Sequence, residues 1–161
     1  MKRQLDEQEK KFAEKALERL ELQLKCDQID LMETDFALNK GLKHKYKETL
    51  NEYEQKGKEL ENKLENTKLN IGLNIEDKEK ADKLKEAADD LQIQIEENQL
   101  ILNYSIHKNF QRQSDRLEKQ RKDLSNQVEA TKKNLETLKD QLQNGVEPKQ
   151  QKKTKITKIK G

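Results

Sequence analysis

Proline, glycine and aromatic residues are scarce in this chain of 161 residues, and each scarcity narrows the choice of fold. The only proline is Pro148, so almost the whole length before it is free to form helix. The five glycines are scattered at positions 41, 57, 72, 145 and 161, which excludes a glycine-rich phosphate-binding loop. With 4% aromatic and 30% hydrophobic residues, the chain has too little apolar material for a compact globular core, for which about 45–50% is usual.

Cysteine, histidine and long apolar runs are scarce as well. Cys26 is the only cysteine, so no disulfide can form within the chain, which is consistent with a reducing compartment. His44 and His107 are far apart, and neither has a neighbouring ligand at zinc-binding spacing. The longest strongly apolar run, residues 100–102, is far shorter than the ~20 residues that span a bilayer, and the N-terminus lacks the apolar segment of a secretory signal. We therefore expect no metal, no cofactor, no membrane segment and a cytoplasmic location.

Charged residues are abundant, and a heptad pattern runs through them. They make up 41% of the chain, and 34 Lys and Arg are interspersed with 32 Asp and Glu, as on a solvated helix surface. Apolar residues return in alternating steps of four and three, the period at which a coiled-coil helix meets its partner. One such stretch is Tyr46, Leu50, Tyr53, Gly57, Leu60, Leu64, Thr67 and Ile71. A second is Leu117, Arg121, Leu124, Val128, Thr131, Leu135, Leu138 and Leu142.

The pattern predicts an all-α fold, an elongated coiled coil of long helices with a bend or hairpin near residue 72. We predict a coiled-coil rod over 1–145, with a break at 69–75, and a basic flexible tail over 146–161. The first helix is expected over roughly 2–68 and the last over roughly 107–144, where Asn144, Gly145 and Pro148 give a stop signal. Catalysis and a small-molecule substrate are not expected, because a rod offers no concave site that excludes water.

The region between these helices gives two conflicting signals. Residues 91–95 and 100–106 alternate apolar and polar residues with a period of two, which is typical of strands and predicts a β-hairpin. Leu84, Ala88, Leu91, Ile95 and Leu102 also fit heptad spacing. Because the tight-turn dipeptide of a hairpin is missing, helix is the favoured prediction.

The first helix carries two apolar stripes and several irregularities. Leu17, Leu20, Leu24, Leu31 and Leu38 form one stripe, while Leu22, Ile29 and Phe36 form a second at seven-residue spacing. The second stripe predicts either a docking surface or a bundle of three or more helices. Leu38, Leu42 and Tyr46, like Leu102, Ile106 and Phe110, follow in two successive steps of four, which we interpret as register drift.

Polar or small residues occupy several core positions. They are Asp27, Thr34, Gly57, Ser114 and Arg121. One interpretation is a loosely selected core; the other, which we favour, is that a different chain complements these positions. The predicted contacts with partner helices are Leu20, Leu24, Leu50, Leu60, Leu64, Leu124, Val128, Leu135 and Leu138. Introducing charges at Leu60 and Leu64 is predicted to abolish partner binding.

One segment carries a family resemblance. Leu17 to Leu31 reads LERLELQLKCDQIDL and resembles the opening of a small coiled-coil subunit of the nexin–dynein regulatory complex of motile cilia. The leucines, Glu21 and Asp27 are in corresponding places, and the likeness extends to Leu50. The resemblance implies a scaffold on the doublet microtubules of the ciliary or flagellar axoneme, bundled with other coiled-coil subunits.

Two alternatives belong to other classes of protein. A prefoldin-like chaperone subunit has two helices joined by a β-hairpin, which residues 91–106 could supply. A nucleic-acid-binding protein would depend on the basic tail alone, because aromatic stacking residues are missing. The tail has no acidic residue after Glu147 and could instead contact acidic surfaces such as those of tubulin.

Overall fold

The computed structural model describes residues 2–147, and the chain is helical through most of them. The elements are α1 (Glu7–Phe36), a first π-helical turn (Ala37–Gly41), α2 (Leu42–Leu73), α3 (Lys78–Leu100), a second π-helical turn (Ile101–Ser105) and α4 (Ile106–Asn144). The predicted all-α class and the reversal near residue 72 are confirmed.

The chain divides into two compact units. One contains the described residues up to Thr34 together with those from Gln120 onward, and the other is Asp35–Lys119. In the second unit, α2 and α3 pack side by side and run antiparallel, since they are joined by the short turn of residues 74–77. The predicted tail, apart from residues 146 and 147, lies outside the described residues.

The turn between α2 and α3 begins after Gly72, the residue near which we expected the bend. Asn74 closes α2 by donating from its backbone and its side chain to the carbonyl of Asn70, at 3.1 and 2.7 Å. Asp77 then starts α3 as its N-cap, accepting a 3.2 Å bond from the backbone N–H of Lys80. The chain therefore reverses its direction within the short turn of residues 74–77.

One predicted boundary was wrong, and the favoured prediction for residues 91–106 is confirmed. The first helix begins at Glu7 rather than near residue 2, because Asp6 caps it. Residues 91–106 are helical and belong to α3, the second π turn and the start of α4, so the alternative β-hairpin does not form. Burial in this segment follows the heptad spacing and not the period of two. Leu91 and Ile95 pack against α2, whereas Ile93, which belongs only to the alternating pattern, is 53% exposed.

The two π turns coincide with the two places where the heptad pattern takes successive steps of four. Leu38 and Leu42 straddle the end of the first π turn, and Leu102 and Ile106 straddle the end of the second. Two steps of four span eight residues in place of the seven of a heptad. A π turn holds one residue more than an α turn and so accommodates the extra residue. The steps of four are therefore local widenings of the helix and not a gradual drift of the heptad register.

Candidate functional site: helix interfaces and an exposed stripe

The heptad residues of α2 and α3 form the apolar interface of the second unit. Leu60, Leu64 and Ile95 are buried together, and Ala88 and Leu91 pack against them. All eight positions of the predicted stretch from 46 to 71 are buried or half-buried, whereas the residues between them, apart from the half-buried Thr49, are exposed. The stretch is therefore the contact face of α2, and the helix that covers it belongs to the same chain.

The nine residues predicted to contact a partner helix are all covered in the structure. Leu60, Leu64, Val128 and Leu135 are buried, and Leu20, Leu24, Leu50, Leu124 and Leu138 are half-buried. In the first unit, buried residues come from both α1 and α4, and the segments that carry them belong to one compact unit. Of the second predicted stretch, Arg121 is the one exposed member.

Asn98 is the most deeply buried polar residue of the second unit, and Gly57 makes room for it. Asn98 is 4% exposed, and its Nδ2 donates a 3.0 Å hydrogen bond to the backbone carbonyl of Tyr53 on the opposite helix. A Cβ atom at position 57 would lie 3.0 Å from that Nδ2. In the sequence, Gly57 leaves a core position without a side chain. In the structure, the side chain of Asn98 occupies that space. The signal that could have revealed Asn98 is its heptad spacing from Leu91 and Ile95.

The first unit has its own buried polar residues. Asp27 and Thr34 are each 5% exposed on α1, and Thr131 is 8% exposed on α4. Asp27 accepts a 2.9 Å hydrogen bond from Gln23 Nε2, and the Thr34 hydroxyl donates 2.8 Å to the carbonyl of Asp30. Both bonds lie within α1, so the polar groups at these core positions are satisfied locally.

The N-terminal end of α1 is fixed by a capping box and an ion pair. Asp6 Oδ1 accepts from the backbone N–H of Glu9 at 2.8 Å, and Glu9 Oε1 accepts from that of Asp6 at 3.2 Å. Arg3 donates to both oxygens of Glu9, at 2.7 and 3.0 Å. These hydrogen bonds stabilise the charged carboxylate and lower the pKa of Glu9 to about 2, and the hydrogen bond from Arg3 has the largest effect. The sequence signal for this cap is the Asp6-x-x-Glu9 spacing, which is not among the predicted features.

The residues before α1 also join the end of α4. Arg3 and Val146 exchange two backbone hydrogen bonds, of 2.9 and 2.7 Å, as an isolated antiparallel bridge. Gly145 adopts a φ of +84°, and a Cβ there would lie 2.1 Å from the carbonyl oxygen of Arg3. Lys2 Nζ lies 3.6 Å from the carboxylate of Asp140. The stop predicted at Asn144 and Gly145 is confirmed, and Gly145 is needed both for its φ and for the close approach.

A second apolar stripe on α1 is left without cover. Leu22 is 65% exposed, Ile29 53% and Met32 71%, and Phe36, at the end of the same helix, is 63% exposed. Cys26 is exposed between Leu22 and Ile29. We call Leu22, Ile29, Met32 and Phe36 the outer stripe. Within the described residues, the outer stripe is not used to build the fold.

The two histidines take part in local contacts. His44 Nε2 lies 2.9 Å from Glu48 Oε1 one turn along α2, and His107 Nδ1 is hydrogen-bonded to the Tyr46 hydroxyl. Among residues 2–147, no three or more His, Cys, Asp or Glu side chains are placed to hold a metal ion. None of the helices in the described part of the chain is long and apolar enough to cross a membrane.

Comparison with known proteins gives no match to this chain among family models, curated proteins or solved structures.

Proposed function

We propose that this chain is a non-enzymatic structural subunit that pairs with helices of other coiled-coil proteins in a cytoskeletal assembly. The observation that carries the proposal is the outer stripe of α1. The resemblance of residues 17–50 to a subunit of the nexin–dynein regulatory complex favours the ciliary axoneme as the assembly. The prefoldin-like alternative lacks support, because its β-hairpin region is helical.

The outer stripe has the spacing of a helix-pairing face. Leu22, Ile29 and Phe36 recur every seven residues, and each is more than half exposed. The core faces of the helices are already covered inside the chain, so a further helix would have to use a different face. Burying one such side chain contributes roughly 1.5–3 kcal/mol, so a few of them can hold a helix in place.

Two charged residues beside the outer stripe favour a partner of different sequence. Arg19 and Glu33 are exposed and occupy the steps that extend the heptad series of Leu22 and Ile29. In a parallel pair of identical chains, each of these charges would face its own copy, which is repulsive. A partner with an acidic residue opposite Arg19 and a basic residue opposite Glu33 would pair without that cost.

The proposal is tested by affinity purification of the tagged chain from its own cells, followed by mass spectrometry. We expect tubulin, axonemal dyneins and other long coiled-coil proteins with the wild type. The double variant Leu22→Glu and Ile29→Glu should lose them while keeping its helical circular dichroism. The control variant, Gln28→Glu, adds a negative charge next to Ile29 in sequence but off the outer stripe and should retain them. Equal recovery with both variants would contradict a role for the outer stripe.

The second part of the proposal concerns the basic tail as a contact for acidic surfaces of tubulin. Residues 149–161 lie outside the described residues, and their recurring lysines carry the positive charge that acidic surfaces attract. Co-pelleting of the chain with microtubules should weaken with rising salt and on deletion of 149–161. Binding that is unchanged by both would contradict this contact.

A further inference from the structure

A groove in the second unit lies between α2 and the segment made of the second π turn and the start of α4. Its volume is about 320 Å³, within the range of roughly 300–1,000 Å³ usual for small-ligand sites. Its lining includes Leu42, Tyr46, Ile106 and Phe110. These four residues belong to the two runs in which the heptad pattern takes steps of four, so the groove lies where regular core packing is interrupted.

The two π turns explain why the groove opens here. Leu42 follows the first π turn directly, and Ile101 and Ser105 are the first and last residues of the second; all three line the groove. A π turn is wider than an α turn and rotates the following side chains relative to a regular helix. Side chains that would interdigitate in an unbroken coiled coil are therefore spread apart, and a space remains between them.

One wall of the groove is aromatic and held in place. The ring centroids of Tyr46 and Phe110 are 4.4 Å apart with their planes inclined by 37°, and the Tyr46 hydroxyl is hydrogen-bonded to His107 Nδ1. Ile106 beside them is only 8% exposed. A fixed aromatic pair favours a flat aromatic ligand, which gains from stacking as well as from apolar burial.

The rim of the groove carries one charge, one amide donor and one hydroxyl acceptor. Lys45 is the only charged residue among those that line it. Asn109 Oδ1 accepts a 3.3 Å bond from Gln113 Nε2, which leaves Asn109 Nδ2 to serve as a donor. The Thr49 hydroxyl donates to the carbonyl of Lys45 and so keeps its oxygen as an acceptor. A cation beside an amide donor recognises a carboxylate.

We propose that this groove binds a small aromatic carboxylate. The aromatic body lies against Tyr46 and Phe110, and the carboxylate pairs with Lys45 and accepts a hydrogen bond from Asn109. The proposal goes beyond pairing with other helices, because it uses neither the outer stripe nor the tail. The absence of ligand binding in the groove would therefore not contradict pairing with partner helices, and the reverse also holds.

The test is titration of the full chain with 1-naphthoate, followed by isothermal calorimetry and by amide chemical shifts. We expect saturable one-to-one binding, with the largest shift changes around Tyr46 and Phe110. Lys45→Gln should weaken binding about twofold to fivefold, the range for an exposed ion pair, whereas Lys43→Gln, two residues away and outside the lining, should not. The neutral 1-naphthalenemethanol should bind more weakly to the wild type by a similar factor.

A groove-filling variant separates this site from unspecific apolar binding. Ser105→Phe places a ring at the groove and should abolish binding, while Asn103→Phe adds the same ring on the same π turn but outside the lining. Circular dichroism checks that both variants remain helical. The proposal is overturned if 1-naphthoate shows no saturable binding up to its solubility limit. Equal affinity for the Ser105→Phe and Asn103→Phe variants would overturn it as well.

Discussion

Replacing Gly57 by alanine tests the structure at its most specific core contact. Glycine in a helix interior is less favourable than alanine by about 1 kcal/mol, so on helix propensity alone the Gly57→Ala variant should be stabilised. The structure predicts otherwise, because the new Cβ would lie 3.0 Å from Asn98 Nδ2. That distance is tighter than an ordinary contact, so Asn98 has to shift by a few tenths of an ångström.

Shifting Asn98 weakens its hydrogen bond, and that cost offsets or exceeds what the helix gains. Its Nδ2 is bonded to the Tyr53 carbonyl at 3.0 Å, and the residue is only 4% exposed, so water cannot readily replace the bond. Leaving such an amide unsatisfied costs about 1–3 kcal/mol. Set against the gain of about 1 kcal/mol, Gly57→Ala should range from neutral to about 2 kcal/mol less stable than the wild type.

A double-mutant cycle measures the contact directly. In an Asn98→Ala background the obstacle is gone, so Gly57→Ala should stabilise the chain by about 1 kcal/mol. The coupling free energy between positions 57 and 98 is then about 1–3 kcal/mol. The assay is urea unfolding followed by circular dichroism at 222 nm for the four chains of the cycle.

Gly72→Ala is the matched control for this cycle. Nothing lies within 4 Å of a Cβ at that position in α2, so its substitution should be stabilising in either background, with no coupling to Asn98. The reasoning is refuted if Gly57→Ala stabilises the wild type by as much as it stabilises the Asn98→Ala variant.

Four further predictions follow from individual contacts. The pKa of Glu9 is lowered from its ordinary 4.5 to about 2, so the stability it contributes is complete above pH 4.5 and is lost as the pH falls toward 2. Glu9→Gln should therefore lose less thermal stability than the wild type over that acid range. Asp27→Leu replaces a buried carboxylate at a core position of α1 and should raise stability by about 1–3 kcal/mol in urea unfolding; a lower stability would contradict this. Gly145→Ala should lower stability by about 1–3 kcal/mol and speed hydrogen exchange at the Arg3 amide, because φ is +84° and the Cβ would collide with the Arg3 carbonyl. Leu64→Glu should reduce helicity itself and not only partner binding, since Leu64 is 8% exposed; an unchanged spectrum would show that it is not in the core.

Heptad spacing was enough to predict the helices and most of their buried faces. It marks Leu60, Leu64, Val128 and Leu135, all of which are buried, because apolar residues at a 3.5-residue period can be covered only along one side of a helix. Spacing does not say which helix provides the cover. In the sequence the face of Leu60 and Leu64 looked ready for another chain, and in the structure α3 packs against it.

What the sequence could not reveal depends on pairs of residues that are far apart in the chain. The need for glycine at position 57 is explained by the adjacent side chain of Asn98. The need for glycine at position 145 is explained by the close approach of the Arg3 carbonyl. The aromatic groove likewise needs Tyr46 and Phe110 from different helices. Local signals for part of this existed, in the Asp6-x-x-Glu9 spacing and in the successive steps of four. Spacing alone left open whether those steps meant drift or an inserted π turn.

Asn98 is best explained as a residue that fixes the register of α2 against α3. Leucines repeated every seven residues would permit one helix to slide past the other by a heptad, because similar side chains would meet again. Such a slip would move Asn98 from Gly57 to the level of Leu50 or Leu64, where a leucine fills the space that Gly57 leaves open. Its amide would then lose the Tyr53 carbonyl, at a cost of about 1–3 kcal/mol, and the leucine would have to be displaced as well. Asn98 also keeps a buried Oδ1 with no hydrogen-bond partner among the described residues, so it is not the most stable choice for the position. Asn98 lowers the stability of every register of α2 against α3, but it lowers that of the observed register least, and so it selects that register. A leucine at position 98 would pack in several registers and would not discriminate among them.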